Sequence, residues 1–306
     1  MNQRGVQLIS ALVCTCNRGE LVVDTVSSIL ANSHPNFELV VVDQSKNDKT
    51  ETALKQFSSD QRFKYLKVSS VGKGRALNAG LSATNGEIIA ITDDDCVVPP
   101  HWLETFASVF AAYPDVAVSF CRVEAGEHDS TAGFIPEYIL DSDRMLTTIH
   151  DARGFRSLGA GIAVRRRMVE NLGGFDPMLG PGSKFHDCDD RDIAMRALLA
   201  NYHVYETSAI GVKHFGFRTW QDGRELARRN FLGIGAAYSK FVRCGRKDVI
   251  YIPAYEFIRF ALWPPLRDLF CLRQPRGVVR ITAFLTGFTE GLRAPLDKAT
   301  MVFVDD

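Results

Sequence analysis

The run Ile88-Ile89-Ala90-Ile91-Thr92-Asp93-Asp94-Asp95-Cys96-Val97-Val98 constrains the fold more than any other stretch of the chain. Small and β-branched apolar residues without alternation describe a strand covered on both faces, as in a parallel sheet flanked by helices. The run then changes abruptly to three carboxylates, and ligands of open α/β sheets collect at the carboxyl ends of such strands. If the segment stays extended, Asp93 and Asp95 project to one side and Asp94 to the other. Two hard oxygen ligands on one side suit Mg2+ or Mn2+, which take few carboxylates and keep waters or phosphate oxygens.

The preceding residues alternate strand and helix patterns. Leu8–Cys14 and Phe37–Asp43 read as buried strands and Phe63–Val68 as a shorter one, separated by helical stretches at Glu20–Leu30 and Thr50–Phe57. This is the opening of a doubly wound sheet with right-handed crossovers. Gly72-Lys73-Gly74-Arg75 reads as a flexible basic loop before a helix over 76–83, and Lys73 and Arg75 could meet phosphate there. A helix from Trp102, a strand over 116–120, an aperiodic stretch at 124–155 and a small-residue strand over 158–164 follow. A long irregular stretch is uncommon unless functional, so 124–155 reads as a binding loop or lid.

Next comes Phe185-His186-Asp187-Cys188-Asp189-Asp190-Arg191-Asp192, leading into a helix. Acids before a helix favour its dipole, yet four acids in six residues exceed what capping requires. A carboxylate held there is a candidate general base. A last strand over 204–212 ends in Lys213-His214-Phe215-Gly216-Phe217-Arg218. Seven scattered cysteines without metal-ligand or redox spacing read as reduced thiols.

In order, Thr15-Cys16-Asn17-Arg18, Val41-Val42-Asp43, Asp93-Asp94-Asp95, Gly173-Gly174-Phe175-Asp176 and Asp189-Asp190-Arg191-Asp192 with Arg196 resemble the motifs of the inverting nucleotide-sugar glycosyltransferases of family 2. The resemblance covers about residues 8–220 and implies the GT-A fold: an α/β, doubly wound, mainly parallel sheet with flanking helices. It implies a catalytic domain over 1–222, with a nucleotide-sugar half to about 122 and an acceptor half from about 123. Asp43, with Thr15, Asn17 and Arg18, would hold the nucleoside. Asp95 with Asp93 would bind ribose and the Mn2+ or Mg2+ that clamps the diphosphate, and Asp94 joins the nucleotide-sugar contacts. Asp189 stands where the family has its general base, Arg196 matches a structural arginine, and His214 and Arg218 stand where a metal ligand or diphosphate contact is often found. This chain has Gln44 where a second Asp is frequent, which bears on the nucleotide base. It has Leu77 in a helix that often carries Arg, so phosphate contact would come from Lys73 or Arg75. Asp189 replaces a commoner Glu and leaves Asp187 and Asp190 as alternative bases.

Residues 223–306 read as a basic helical C-terminal appendage, with breaks at Gly245–Asp248, Pro264-Pro265 and Gln274-Pro275. From Arg224 to Arg280 twelve lysines and arginines face four acids, although the whole chain has a net charge of zero and shows no global bias toward nucleic acid. Arginines mixed with aromatics suit a helix lying on an anionic membrane, where a lipid-linked acceptor could be met. The other reading is a helical appendage packed on the catalytic domain or on a second copy of the chain. With no signal-peptide pattern at the N-terminus, the expected location is the cytoplasm, including the inner face of the membrane. The expected partners are a nucleotide-sugar donor and a hydroxyl acceptor: a saccharide, a lipid-linked saccharide or a small molecule. A metal-dependent nucleotidyl or phosphoryl transferase, or a non-catalytic nucleotide-sugar binder, would use the Asp93/Asp95 site without a separate acceptor base.

Overall fold

The structure is a computed structural model, and it describes residues 6–304. Strands β1 (Ile9–Thr15), β2 (Phe37–Asp43), β3 (Phe63–Lys67) and β4 (Ile88–Asp93) pair in parallel in the order β3-β2-β1-β4. Helices α1 (Val22–Leu30), α2 (Lys49–Leu54) and α3 (Lys73–Ala83) connect them. Every residue of β2 is buried: Leu39–Val42 is the apolar run of a strand covered on both faces, and Glu38 is held there by Lys64 and Ser10. The register sets Thr15 against Asp43 and Cys14 against Asp93, so three of the expected site residues share the carboxyl edge of the sheet.

Beyond the Asp triplet come β5 (Cys96–Val97), α4 (Trp102–Ala112), β6 (Val116–Ala125), β7 (Gly133–Phe134), β8 (Arg144–Leu146), β9 (Ile162–Arg165), α5 (Arg166–Asn171), α6 (Asp189–Leu199), β10 (His203–His214) and β11 (Arg218–Thr219). The main sheet continues β4-β9-β6-β10-β5. Here it is mixed: β9 runs antiparallel to both β4 and β6, while β10 runs parallel to β6 and antiparallel to β5. The small-residue strand expected from Leu158 begins only at Ile162, because Gly159–Gly161 forms a tight helical turn. Lys73 and Arg75, read as loop residues, lie in the first turn of α3. Gly72, at φ +106, makes the corner, and the Lys73 N–H donates to Pro181 O at 2.9 Å.

The C-terminal part comprises α7 (Asp222–Arg243), α8 (Tyr251–Glu256), a π-helical turn (Phe257–Leu262), α9 (Trp263–Phe270), α10 (Val278–Arg293) and a hairpin of β12 (Leu296–Asp297) and β13 (Val302–Phe303). The break expected at Pro264-Pro265 does not occur. The prolines occupy the first turn of α9, and the π turn before them absorbs the mismatch in backbone pairing. α7 crosses α10 at backbone contact: a Cβ on Gly287 would lie 2.0 Å from Leu232 O, and one on Gly233 would lie 2.6 Å from Asp187 O. α7 is therefore packed onto the loop that carries the acid cluster.

Lys240 of α7 is fully buried, with Nζ 2.6 Å from both Asp176 Oδ2 and Asp192 Oδ1. Arg196 Nε donates to Asp192 Oδ2 at 2.8 Å, and its other nitrogens hold Leu172 O and Gly174 O. The N–H of Phe303 reaches Asp176 Oδ2 at 2.9 Å. This neutral, buried set of two cations and two anions ties α6, the 172–178 turn, α7 and the terminal hairpin together. Among the described residues no helix is long and apolar enough to cross a membrane.

Candidate active site

At the carboxyl edge β4 ends at Asp93, and the chain turns through Asp94 and Asp95 into β5. The turn replaces the extended geometry expected from the spacing, so Asp95 shares its partner with Asp94 and not with Asp93. Asp93 Oδ1 accepts from Lys73 Nζ. Arg18 gathers the other two, with Nε 3.1 Å from Asp94 Oδ1 and Nη2 3.1 Å from Asp95 Oδ2. Burial pushes Asp94 up to about 6 against the pull of Arg18. Burial acts upward on Asp95 too, but its hydrogen bond to His214 and the charges of His214, Arg18 and Arg218 bring it below the usual carboxylate range. Burial would lower His214, yet Asp95 raises it.

His214 Nε2 lies 3.4 Å from Asp95 Oδ1, and its Nδ1 is 3.1 Å from Pro136 O. Cys96, not anticipated from sequence, joins them because the β5–β10 register sets Cys96 opposite His214. Asp95, Cys96 and His214 offer ligand atoms within 4.8 Å of one another; Asp93 is outside this group. The space beside it depends on Gly216, where a Cβ would meet His214 Nε2 at 2.4 Å and Asp95 Oδ2 at 3.0 Å.

The expected nucleoside residues line the same edge. Asp43 is fully buried; its Oδ1 accepts the Ser45 N–H at 2.8 Å and its Oδ2 the Tyr65 hydroxyl at 2.7 Å. Asn17, at φ +59, turns the chain, with its N–H donating to Ser45 Oγ at 2.7 Å, and Thr15 is buried behind it. The Gln44 amide donates to Ser70 O at 2.7 Å and Gly72 O at 3.1 Å, fixing the corner that presents Lys73. Arg75 folds back onto Val71 O. Tyr65 and Ser45 carry no motif of their own; their position on the edge strand and in the turn becomes apparent only once β2 and β3 pair.

The second acid cluster opens α6. Cys188 takes a left-handed conformation at the N-cap, φ +78, which starts the helix at Asp189, earlier than the sequence pattern indicates. Gly180, at φ +88, approaches the Asp189 carboxyl so closely that a Cβ there would lie 2.9 Å from it. Burial drives Asp189 up to about 7; Lys73 pulls it down, while Asp190, Asp187 and Asp93 push it further up. Asp187 is pushed to about 6 by burial and Asp190. Asp190 is raised by burial, opposed by Lys73 and by hydrogen bonds from the Arg191 N–H and Ser157. Lys73 stays charged although burial opposes it, because Asp93 and Asp189 act on it from two elements.

These groups line one cavity of about 450 Å³. Lys73, Asp93, Asp187, Asp189 and Asp190 form its polar wall. Leu226, Phe231, Ile234, Phe260, Arg156 and Arg280 form much of the opposite side, and Glu256 there pairs with Arg191. The structure thus brings Asp93 of the first acid cluster and three aspartates of the second to one space, joined by Lys73. A raised carboxylate in such a site can accept a proton near neutral pH. The C-terminal contribution had no signal in the sequence, since helical periodicity does not say which face meets a cavity.

The profile of glycosyl transferase family 2 matches residues 10–170. A glucosyl-dolichyl phosphate glucuronosyltransferase of Haloferax volcanii is 24% identical over 258 residues, 81% of this chain and 80% of that protein. An uncharacterized glycosyltransferase of Nostoc sp. is 28% identical over 178 residues, 56% of this chain, and the match spans only 54% of that relative. Among solved structures, the mannosyltransferase PcManGT from Pyrobaculum calidifontis in complex with GDP-Man and Mn2+ superposes with a TM-score of 0.63 at 18% identity, covering 97% of this chain and 79% of that one. TarS 1-349 of S. aureus in complex with UDP-GlcNAc gives 0.59 at 15%, covering 93% and 81%. At these identities the structural likeness establishes the α/β GT-A-type fold, and the profile spans more than half of the sequence. On that match, and with its ordered acid motifs at the edge of this sheet, the chain belongs to glycosyl transferase family 2.

Proposed function

We propose that the protein is a glycosyltransferase of glycan synthesis that moves a sugar from a nucleoside diphosphate donor to a hydroxyl acceptor, with inversion and with a divalent metal. One observation carries this reading: Asp93, at the donor edge of the sheet, pairs with Lys73 in the same cavity that Asp189 lines, and the charges of Lys73 and Asp189 act on each other there. The solved relatives were captured with GDP-Man and with UDP-GlcNAc, which supports a nucleotide-sugar donor here.

The nucleotide-sugar half, to about residue 122, would receive the donor along Thr15, Asn17, Asp43 and Gln44, with Arg18, Arg75 and Arg218 as cations for its phosphates. Asp95 and His214 would hold the divalent ion, Asp93 and Asp94 flanking it. A carboxylate with an imidazole suits Mn2+ better than the all-oxygen shell that Mg2+ favours. When bound, the ion supplies positive charge for the diphosphate oxygens. Asp189 takes the proton of the acceptor hydroxyl as that oxygen bonds to the sugar carbon and the bond from this carbon to the phosphate oxygen breaks. Lys73 lowers the cost of charge on both sides of the transfer. Asp187 and Asp190 keep Asp189 basic by like-charge repulsion. The acceptor half, 123–222, and the region 223–306 then share the acceptor wall, where Leu226, Phe231 and Phe260 suit an acceptor with an apolar stem. The Haloferax relative, named for a lipid-phosphate-linked glucose, supports such an acceptor.

The test is thermal unfolding of the purified protein against a panel of nucleoside diphosphates and nucleotide sugars, with and without Mn2+, followed by transfer assays with Asp189→Asn. A ligand that binds the folded state raises its apparent stability. The expected result is a metal-dependent shift with one nucleotide family, retained in Asp189→Asn while transfer is lost. No shift with any nucleotide in folded protein would overturn the donor assignment. Normal turnover in Asp189→Asn would favour nucleotidyl or phosphoryl transfer, and binding without turnover on any acceptor would mark a non-catalytic binder.

A further inference from the structure

We propose that the arm formed by α8, the π turn, α9 and the following loop to Gly277 docks on an anionic lipid bilayer, lying in its surface without crossing it. From Tyr251 to Phe270 the helical turns are continuous. Ile252, Pro253, Glu256, Ala261, Pro265 and Asp268 face inward, while Tyr255, Ile258, Arg259, Trp263, Leu266, Arg267, Leu269 and Phe270 face out. The outward face is apolar to an unusual degree for a protein surface: Ile258 is 55% exposed, Trp263 47%, Leu269 54%, Phe270 80% and Leu272 97%.

The charges on this face have one sign. Glu256 and Asp268 are buried, the first paired with Arg191 and the second with Arg276, whose Nε lies 3.3 Å away, and with Arg267, whose Nη2 lies 3.7 Å away. Arg259, Arg267, Arg273 and Arg276 are exposed, so among residues 249–280 every exposed charge is an arginine. An aromatic and aliphatic face rimmed only by arginine complements a surface that is apolar below and anionic at its headgroups. The same uniform sign opposes pairing with a second copy about a two-fold axis, which would set arginines against arginines. The arm also borders the active site: Phe260 of the π turn lines the cavity, and Arg156, across the cavity rim, stacks on it at 5.3 Å. If the glycosyl-transfer reading holds, docking there brings the acceptor wall to the headgroup layer, where a lipid-linked hydroxyl can enter beside Asp189.

The test is co-sedimentation of the full chain with vesicles of phosphatidylcholine alone and of phosphatidylcholine mixed with phosphatidylglycerol. The protein is expected to bind the mixed vesicles, with binding falling as salt rises. Arg267→Gln with Arg273→Gln should weaken it about fivefold per arginine, and Phe270→Ser with Leu272→Ser about tenfold or more. All these side chains are exposed, and Arg276 still holds Asp268 when Arg267 is replaced, so the variants should melt as the parent does and keep its nucleotide-dependent shift. Failure to bind mixed vesicles, or binding that neither pair weakens, would overturn the proposal. So would a dimer in sedimentation velocity that Phe270→Ser with Leu272→Ser dissolves, since that would assign the face to a second copy. Vesicle binding without any nucleotide response would leave the docking intact and count against the donor reading alone.

Discussion

The molecule contains two lysines set between aspartates, and they do opposite things. Lys240 joins Asp176 and Asp192 in a set closed by Arg196, where all four side chains are fully buried and the charges balance. Lys73 pairs with Asp93 and lies in the field of Asp189 on the wall of a cavity where Asp187 and Asp190 add two further negative charges. A balanced, sealed cluster stores no reactivity and serves as a joint between elements. An unbalanced cluster facing a space keeps a carboxyl raised and ready to take a proton. Residue type does not separate the two; the charge count and access do.

The largest effect should come from breaking the joint. Lys240→Met leaves Asp176 and Asp192 buried without their shared cation, which costs about 3–5 kcal/mol in comparable settings. Denaturant unfolding should show that loss, or the protein should fail to accumulate. Lys73→Met, by contrast, leaves its aspartates beside a cavity that water can enter. Its unfolding midpoint should shift far less while transfer is abolished. Equal destabilisation by both variants would erase the distinction drawn between the clusters.

Asp189→Asn comes next. Loss of a general base lowers turnover by about 10²–10⁴-fold, with nucleotide binding preserved. Its stability should move in the opposite direction to its activity. In the folded protein Asp189 is raised to about 7 and Asp187 to about 6, above the ordinary 3.8. The folded state therefore holds protons that the unfolded chain releases between those values, and the site destabilises the fold most above pH 7, less as pH falls toward 4. Asp189→Asn should be the more stable protein at pH 8, by on the order of 2 kcal/mol, and the gap should narrow as pH falls below 7 and close near pH 4. Turnover of the parent should fall with unit slope below about pH 7 as the base becomes protonated, and a profile flat from pH 5 to 8 would remove Asp189 from that role.

Part of this arrangement is legible in the sequence and part is not. The run Ile88–Asp93, the parallel β1, β2 and β4, and the ordered acid motifs were legible because each is a local pattern: burial on both faces, then charge at a strand end. The division of Asp93, Asp94 and Asp95 between Lys73 and Arg18 was not, since it depends on a turn after Asp93 that the period of a strand does not announce. Pro264-Pro265 read as a break, but a π turn can precede prolines and let the helix proceed. In the sequence Lys240 is only one of the twelve cations between Arg224 and Arg280. Its neighbours Gly233, Gly235, Ala236 and Ala237 were the available signal, because small residues in a helix mark a face that another backbone approaches. The same holds for Cys96, whose place beside His214 follows from a two-residue strand pairing that no spacing rule reaches.

The smallest effect sharpens the boundary between the proposed metal site and the base. A methyl group on Gly216 would fall 2.4 Å from His214 Nε2 and 3.0 Å from Asp95 Oδ2. Gly216→Ala must push the imidazole aside or forfeit its contact with Asp95, a loss of about 1 kcal/mol for one hydrogen bond. That corresponds to about a fivefold rise in the Mn2+ concentration needed for the nucleotide-dependent thermal shift, with the pH profile of turnover at saturating metal unchanged. Because His214 sits on β10 and Asp189 on α6, the two readouts can move separately. If the pH profile shifts with the metal requirement, the donor-side and acceptor-side charges act as one set, and Lys73 couples them more tightly than its contact with Asp93 and the charge of Asp189 imply.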